Sequence, residues 1–133
     1  MRSIIVDTGP LVALFHARDE HHEAAKAVLE SSRALLVSTW PVVTEACHVL
    51  GRDGKRALLA LIRRGGLRIE ALSVEDVPRL DELLARYERM DFADATLVLL
   101  AEKTGLTEIF TIDRRDFEQY RTRAGRRFRL LLA

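Results

Sequence analysis

The chain has 133 residues, of which 48% are hydrophobic and 31% are charged, and its formal net charge is only +1. This length predicts one domain spanning residues 1–133, and the small net charge excludes a chain that binds nucleic acid through uniform basicity. Cys47 is the only cysteine, which excludes an intrachain disulfide. The absence of a signal sequence and of a membrane-length apolar run predicts a cytoplasmic protein with no membrane partner.

Short apolar runs alternate with helical patterns along the chain. Strands are predicted at residues 3–6, 34–37, 67–72, 108–112 and 128–132, the last of them at a sheet edge. Helices are predicted from Gly9-Pro10, from an N-cap at Asp19 to Glu30, from Pro41, from a capping box at Ser73–Asp76 to Met90, and over 91–103. A further helix is predicted to carry Ala57, Leu58, Leu61 and Ile62 and to stop at Gly65-Gly66. Alternating strands and helices predict an α/β fold with a parallel sheet covered on both faces.

Acidic residues stand where these predicted elements begin or end. Asp7 and Asp113 each follow a strand-like run, and Glu45 and Asp94 lie early in apolar helical stretches. Ligands of open parallel sheets bind outside the carboxyl ends of the strands, so Asp7 and Asp113 are placed on the functional rim. Asp91 lies three residues before Asp94 and can share its helical face.

A group of carboxylates in apolar surroundings must be neutralised. The natural partner is a hard divalent cation with oxygen ligands, which predicts Mg²⁺ or Mn²⁺ and metal-assisted phosphoryl chemistry. Helix capping or a favourable helix dipole can also explain Asp7, Asp94 and Asp113 one at a time. Glu45 has no capping role, and the coincidence of all four acids favours a site.

The acids fall within four sequence motifs: IVDTGPLVA at 5–13, PVVTEA at 41–46, DFADATLV at 91–98 and FTIDRRDF at 110–117. With these motifs in this order and spacing, the chain resembles PIN-domain nucleases, and among them the VapC-type ribonuclease toxins. The resemblance covers essentially the whole chain. It implies a three-layer α/β/α sandwich with a short, mainly parallel sheet, a Mg²⁺- or Mn²⁺-dependent endoribonuclease acting on RNA, an antitoxin partner and a homodimer.

Carried over position by position, the resemblance assigns roles to individual residues. The catalytic and metal-binding acids that it implies are Asp7, Glu45, Asp94 and Asp113, with Asp116 as a further metal ligand. Auxiliary positions fall on Thr8, Asp91 and Thr111. Arg114, Arg115 and the arginine-rich segment that follows are expected to contact the RNA backbone, and the same segment is alternatively a docking site for an acidic antitoxin.

Other readings of the same residues carry less weight. Asp7-Thr8-Gly9 is also the signature of retroviral-type aspartic proteases, but that fold is nearly all β, whereas this chain is mostly helical. Glu45-x-x-His48 is half of a di-iron helix-bundle motif, and the second half is missing. A phosphoacceptor domain would also place an Asp at a strand end, but its accompanying residues are absent.

Two further alternatives are a zinc site and a protein without catalytic activity. His16, His21 and His22 form a loose group without the spacing of a zinc site, which favours a role as polar helix surface. The plainest alternative to an enzyme is a non-catalytic interaction module that keeps its acids for stability. Stabilisation by Mn²⁺ separates the two, because a ligand that binds only the native state must stabilise it.

Overall fold

A computed structural model describes residues 2–132, with the side chain of Leu132 left out of the description. The strands are β1 Ser3–Val6, β2 Leu35–Ser38, β3 Leu67–Ile69, β4 Glu108–Thr111 and β5 Arg129–Leu132. The α-helices are α1 Thr8–Phe15, α2 His22–Ser32, α3 Trp40–Val49, α4 Arg52–Arg63, α5 Val77–Arg86, α6 Phe92–Thr104 and α7 Arg114–Gln119, and a short 3₁₀ turn spans Val74–Asp76.

The five strands form one parallel sheet in the order β3-β2-β1-β4-β5. From β1 the chain adds strands first on one side and then, after β3, on the other. The strand order therefore reverses between β1 and β4, and ligands of open α/β sheets bind at such a switch point. Asp7 follows β1 directly, and Asp113 lies two residues beyond β4, so both stand at this reversal.

The core lies between the sheet and the helices on its two faces. The middle strands are almost wholly apolar and inaccessible, as β1 illustrates with Ile4, Ile5 and Val6. Helix α6 is buried on nearly every side from Ala93 to Ala101, which is unusual for a helix with an acid in its first turn. Among residues 2–132, no helix combines the length and apolar composition needed to cross a membrane.

Several boundaries differ from the sequence prediction. Helix α2 begins at His22, because Asp19 accepts a hydrogen bond from the His21 N–H in a turn and does not cap the helix. Within α2, Ala25 is buried, whereas its neighbour Ala24 is exposed. Strand β3 stops at Ile69 and not at 72, because its only neighbour, β2, ends at Ser38, the partner of Ile69.

Helix α5 also ends earlier than predicted, at Arg86, and residues 87–91 form a turn before α6. The predicted capping box at the other end of α5 is present: the Ser73 N–H donates to Asp76 Oδ2 at 2.9 Å. Lys103 donates to the same oxygen at 2.7 Å, which ties this turn to the end of α6. Strand β5 is an edge strand, as predicted, and pairs in parallel with β4.

Candidate active site

Asp7 links the end of β1 to the start of α1. Its Oδ1 accepts a 2.8 Å hydrogen bond from the Thr8 N–H, which caps α1, and its Oδ2 accepts a 3.0 Å bond from the Thr111 hydroxyl. Burial raises the pKa of Asp7 to about 6, against the opposing effect of these two hydrogen bonds and with further help from the negative charges of Asp91 and Glu45. The capping alternative is therefore correct for Asp7, and the same carboxylate also belongs to an acidic cluster.

Asp94 lies in the first turn of α6 and is buried. Its Oδ2 accepts a 2.8 Å hydrogen bond from the Tyr120 hydroxyl, and its backbone N–H donates to Asp91 Oδ1 at 2.8 Å. Burial, and next the charge of Asp7, raise the pKa of Asp94 to about 8. The carboxyl group is therefore held largely protonated near neutral pH unless a positive charge compensates it.

Glu45 lies on the exposed side of α3, so the apolar sequence around it does not bury its side chain. Its Oε2 is 3.5 Å from the Thr8 hydroxyl, a long contact that connects α3 to the start of α1. Partial desolvation, and next the charge of Asp91, raise its pKa. Glu45, Thr8 and His48 line an open cavity of about 480 Å³ beside the cluster.

Asp113 and Asp116 approach from the other side, on the segment that follows β4. Asp113 is exposed and caps α7 by accepting a 3.0 Å hydrogen bond from the Arg115 N–H. Asp116 is half-buried, and its pKa is raised by burial and then by the charge of Asp113, while Arg89 lowers it. The negative charge of Asp116 also raises the pKa of Asp94, so Asp116 belongs to the same cluster.

Asp91 holds a more central position than the sequence suggested. Its charge raises the pKa of each of four other acids, namely Asp7, Glu45, Asp94 and Asp116. It also caps α6 and so fixes the backbone of Asp94. The structure therefore brings together Asp7, Asp91, Asp94 and Asp116, with Glu45 and Asp113 at opposite sides of the group.

The donor set suits a hard divalent cation. It consists of carboxylate oxygens with the hydroxyls of Thr8 and Thr111 beside them, and oxygen donors are those that Mg²⁺ and Mn²⁺ prefer. The pKa values of Asp7 and Asp94 are raised first by burial and further by the charges of neighbouring acids, and a bound cation would offset both effects. Within residues 2–132, however, no three His, Cys, Asp or Glu side chains already stand in an arrangement that could hold an ion.

The arginines from Arg114 onward, which include the arginine-rich segment, are divided between the two ends of the sheet. Arg114 and Arg115 lie beside Asp113 at the acidic rim. Arg123 and Arg126 precede β5, at the amino ends of the strands, where Arg126 bonds the Gly105 carbonyl and Arg123 lies 3.5 Å from Glu82. Arg123 and Arg126 therefore lie away from the acids, and the contact of the arginine-rich segment with an RNA backbone or an acidic antitoxin stays a prediction.

Two residues that the sequence analysis did not single out contact the site. Tyr120 holds Asp94, and Arg89, in the turn between α5 and α6, stands close enough to Asp116 to lower its pKa. Neither belongs to the strand ends or helix starts that identified the acids. Tyr120 stands in a polar stretch between Gln119 and Arg121, so the sequence carries no signal for it, and it carries none for Arg89.

Acids at the switch point of a parallel sheet, with oxygen donors and flanking arginines, define an α/β protein of nuclease type, and residues 4–122 match the family model of the PIN domain. The chain belongs to the PIN-domain family, and its predicted α/β sandwich fold is confirmed. It is 29% identical to ribonuclease VapC26 of Mycobacterium tuberculosis, an alignment that covers 96% of this chain and 99% of that relative.

A solved structure supports the same relationship. The crystal structure of Mycobacterium tuberculosis VapC20, described as a sarcin-ricin loop cleaving toxin, superposes with a TM-score of 0.70 at 31% sequence identity. The match covers 83% of this chain and 89% of that one. The resemblance to VapC-type toxins that the four motifs predicted is thereby confirmed.

Proposed function

We propose that the protein is a metal-dependent endoribonuclease that hydrolyses RNA phosphodiester bonds, as the toxin of a toxin–antitoxin pair. The observation that carries the proposal is the gathering of Asp7, Asp91, Asp94 and Asp116 at the switch point, where burial and mutual repulsion raise the pKa values of Asp7 and Asp94. Such a group is costly unless a cation compensates it. The names of the two similar VapC proteins support RNA as the substrate class.

The metal ligands in this proposal are the acids that converge on the rim: Asp7, Glu45, Asp94, Asp113 and Asp116. Bound Mg²⁺ or Mn²⁺ would lower the pKa of a coordinated water and offset the charge that develops on the phosphate. Asp7 is the best-anchored ligand, because its position is fixed by a cap and by Thr111. Asp94 is fixed by Tyr120.

The uncharged and auxiliary residues orient these ligands. The Thr111 hydroxyl donates to Asp7 Oδ2, and the Thr8 hydroxyl faces Glu45 Oε2. Asp91 holds the backbone of Asp94 through its cap and adds negative charge at the centre. An ionised carboxylate of the cluster accepts a proton from the attacking water.

The partners, the oligomeric state and the location that we propose follow from membership of the family. We include in the proposal a single catalytic domain, an antitoxin that binds the toxin, a homodimer and a cytoplasmic location. Exposed apolar side chains such as Trp40, which is 52% exposed, offer surface for protein contacts. Light scattering of the purified chain, alone and with the product of a neighbouring reading frame, tests the dimer and the antitoxin.

The experiment that tests the catalytic proposal compares the wild-type protein with Asp7→Asn, an isosteric change that removes one charge. Cleavage of RNA in Mg²⁺ or Mn²⁺, and a rise in melting temperature on adding Mn²⁺, are expected for the wild type and not for Asp7→Asn. The matched control is Asp81→Asn on the exposed side of α5, which should cleave like the wild type. Full activity in EDTA, or in Asp7→Asn, would refute the mechanism.

The non-catalytic interaction module predicts a different pattern. A protein that keeps its acids only for capping gains no stability from millimolar Mn²⁺ and cleaves no RNA. Asn caps a helix about as well as Asp, so Asp7→Asn would then leave the response to Mn²⁺ unchanged, because there is no response to lose. The presence or absence of stabilisation by Mn²⁺ separates the two functions before any substrate is known.

A further inference from the structure

A cleft of about 550 Å³ opens beside Asp113, and its two walls come from distant parts of the chain. One wall is the first turn of α7, with Arg114 and Arg115, and the other is Arg89, in the turn between α5 and α6. Glu118 completes the lining. Arg89 also lines a smaller cavity of about 230 Å³ together with Asp116 and Tyr120, so it stands between the cleft and the acidic cluster.

The guanidinium groups of this cleft are largely free. Arg89 and Arg115 make no side-chain ion pair or hydrogen bond within residues 2–132, and Arg114 has only a 3.6 Å exposed contact with Glu118. By contrast, Arg79 is held by two nitrogens on Glu102, and Arg123 and Arg126 are engaged at the far end of the sheet. Exposed arginines without partners at a cleft are available to an external anion.

Three guanidiniums face two carboxylates in this cleft, and one of the carboxylates, Asp113, already accepts the Arg115 N–H. A guanidinium can donate two parallel hydrogen bonds to a phosphate or to a carboxylate. A single acidic side chain of a protein partner occupies one guanidinium, whereas an RNA backbone presents a phosphate to each arginine in turn. The cleft adjoins the acids, so a polymer of phosphates passing the acids must also pass the arginines. These features favour the RNA backbone over an acidic peptide.

We propose that Arg89, with Arg114 and Arg115, forms a phosphate-binding cleft that holds the RNA backbone next to the bond that is cut. Arg89 is the essential new member, because it lies on a different segment from the other two and closes the second wall. The inference rests on the proposed function and specifies how the substrate is held. Arg89 is a substrate-binding residue in it and takes no part in proton transfer.

The test measures binding separately from cleavage. A fluorescently labelled single-stranded RNA is titrated with full-length Asp7→Asn, with the double variant carrying Arg89→Gln, and with a matched double variant carrying Arg64→Gln. Arg64 is an exposed arginine that directly follows α4 and precedes β3, at the opposite end of the sheet, and its side chain has no ion pair in the described chain. Anisotropy is recorded at several salt concentrations.

Arg89→Gln should weaken binding about tenfold and reduce the slope of log K against log salt by about 0.7, the value for one lost phosphate contact on a single strand. Arg64→Gln should change neither quantity. Arg89→Lys should retain the slope and recover part of the affinity, since it keeps the charge but not the fork. Circular dichroism verifies that each variant is folded, and Arg89 is exposed, so no loss of folding is expected.

Equal affinity and equal slope in the Asp7→Asn protein with and without Arg89→Gln would overturn the proposal. So would an absence of RNA binding in every variant, or a loss of cleavage in the single variant Arg89→Gln without any loss of binding. The proposed function fails separately: a wild-type protein that binds RNA through Arg89 but never cleaves it would refute the nuclease and support the cleft.

Discussion

Tyr120 donates a 2.8 Å hydrogen bond to Asp94 Oδ2, so an aromatic side chain at the end of α7 fixes an acid at the start of α6. The ring of Tyr120 packs edge-on against Tyr87 and Phe117, with ring centroids 5.0 Å apart in both pairs. Burial, and next the hydrogen bond to Asp94, raise the pKa of Tyr120, so its hydroxyl remains a donor throughout the physiological range. The carboxylate of Asp94 is therefore held in position by a side chain of the core.

Tyr120→Phe removes this donor while it keeps the ring. Because the hydrogen bond opposes the rise in the pKa of Asp94, its loss should raise that pKa further and weaken Mn²⁺ binding. We expect an about tenfold higher Mn²⁺ concentration for half-maximal cleavage and a loss of stability of about 1 kcal/mol.

The control for that change is Tyr87→Phe. Its hydroxyl also makes one hydrogen bond, accepted from the Arg121 N–H at 3.0 Å, but touches no acid. It should lower stability to a similar extent and leave the Mn²⁺ dependence unchanged. An equal effect of both variants on Mn²⁺ binding would remove Tyr120 from the site.

The stability of the metal-free protein should depend on pH in an unusual direction. Asp7 and Asp94 have folded-state pKa values of about 6 and about 8, above the ordinary 3.8, so the folded state binds protons more tightly than the unfolded state. Their contribution is complete below pH 4 and is lost as pH rises from about 4 to about 8. Urea unfolding between pH 5 and 8.5 in EDTA measures it.

Asp94→Asn provides the comparison, since a neutral side chain does not titrate. It should be more stable than the wild type at pH 8, by about 2 kcal/mol, and its stability should vary less with pH. Added Mn²⁺ should restore the wild type alone. A wild-type stability that rises over this pH range would show that folding does not raise the pKa values of the two carboxyl groups.

The Thr111 hydroxyl is a second positioning group that can be tested with an isosteric change. Thr111 is fully buried and donates to Asp7 Oδ2 at 3.0 Å. Thr111→Val should reduce the cleavage rate about tenfold, a typical cost of misplacing a catalytic group, and should shift the pH profile upward because Asp7 loses a hydrogen bond that lowers its pKa. Thr111→Ser keeps the hydroxyl and should keep most of the rate.

A stability prediction concerns the end of the molecule that is remote from the acids. Glu102 accepts hydrogen bonds from Arg79 and from the Arg123 N–H, and its side chain is only 14% exposed. Glu102→Ala should lower the free energy of unfolding by about 2 kcal/mol, because it leaves Arg79 with only its 3.3 Å contact to the exposed Glu82. Cleavage per folded molecule should not change.

An exposed ion pair supplies the contrast. Arg68 on the edge strand β3 and Glu70 just beyond its end lie 3.8 Å apart, and their side chains are 61% and 36% exposed. Glu70→Ala should change the unfolding free energy by less than about 0.5 kcal/mol. Comparable losses in the two variants would indicate that the Arg79–Glu102 pair is not specially stabilising.

The sequence predicts those parts of the site that depend only on residues close together in the chain. A strand followed by an acid places Asp7 and Asp113 at the carboxyl rim, and the motif at 91–98 places Asp94 in the first turn of a helix. Whether the side chains are buried was not predictable in the same way. Glu45 sits in an apolar segment and is exposed, because the sixth position of α3 turns away from the sheet.

The remaining contributors depend on how separate helices pack. The sequence gives no distance between Tyr120 and Asp94, which are 26 positions apart, and none between Arg89 and the α7 arginines. The central role of Asp91 likewise follows from the meeting of α3, α6 and α7 at one end of the sheet. Periodicity identifies which residues face inward, but not which helix they meet.

The strand order has a consequence for the timing of activity. The acids arrive along the chain from one end to the other, and Thr111 meets Asp7 across 104 positions of sequence. A polypeptide that ends before β4 lacks Thr111, Asp113 and Asp116, and β4 must enter the sheet beside β1 before the two halves of the rim face each other. A cut between the first and the fourth motif therefore separates the acids, and the order of synthesis delays assembly of the rim until β4 has been made.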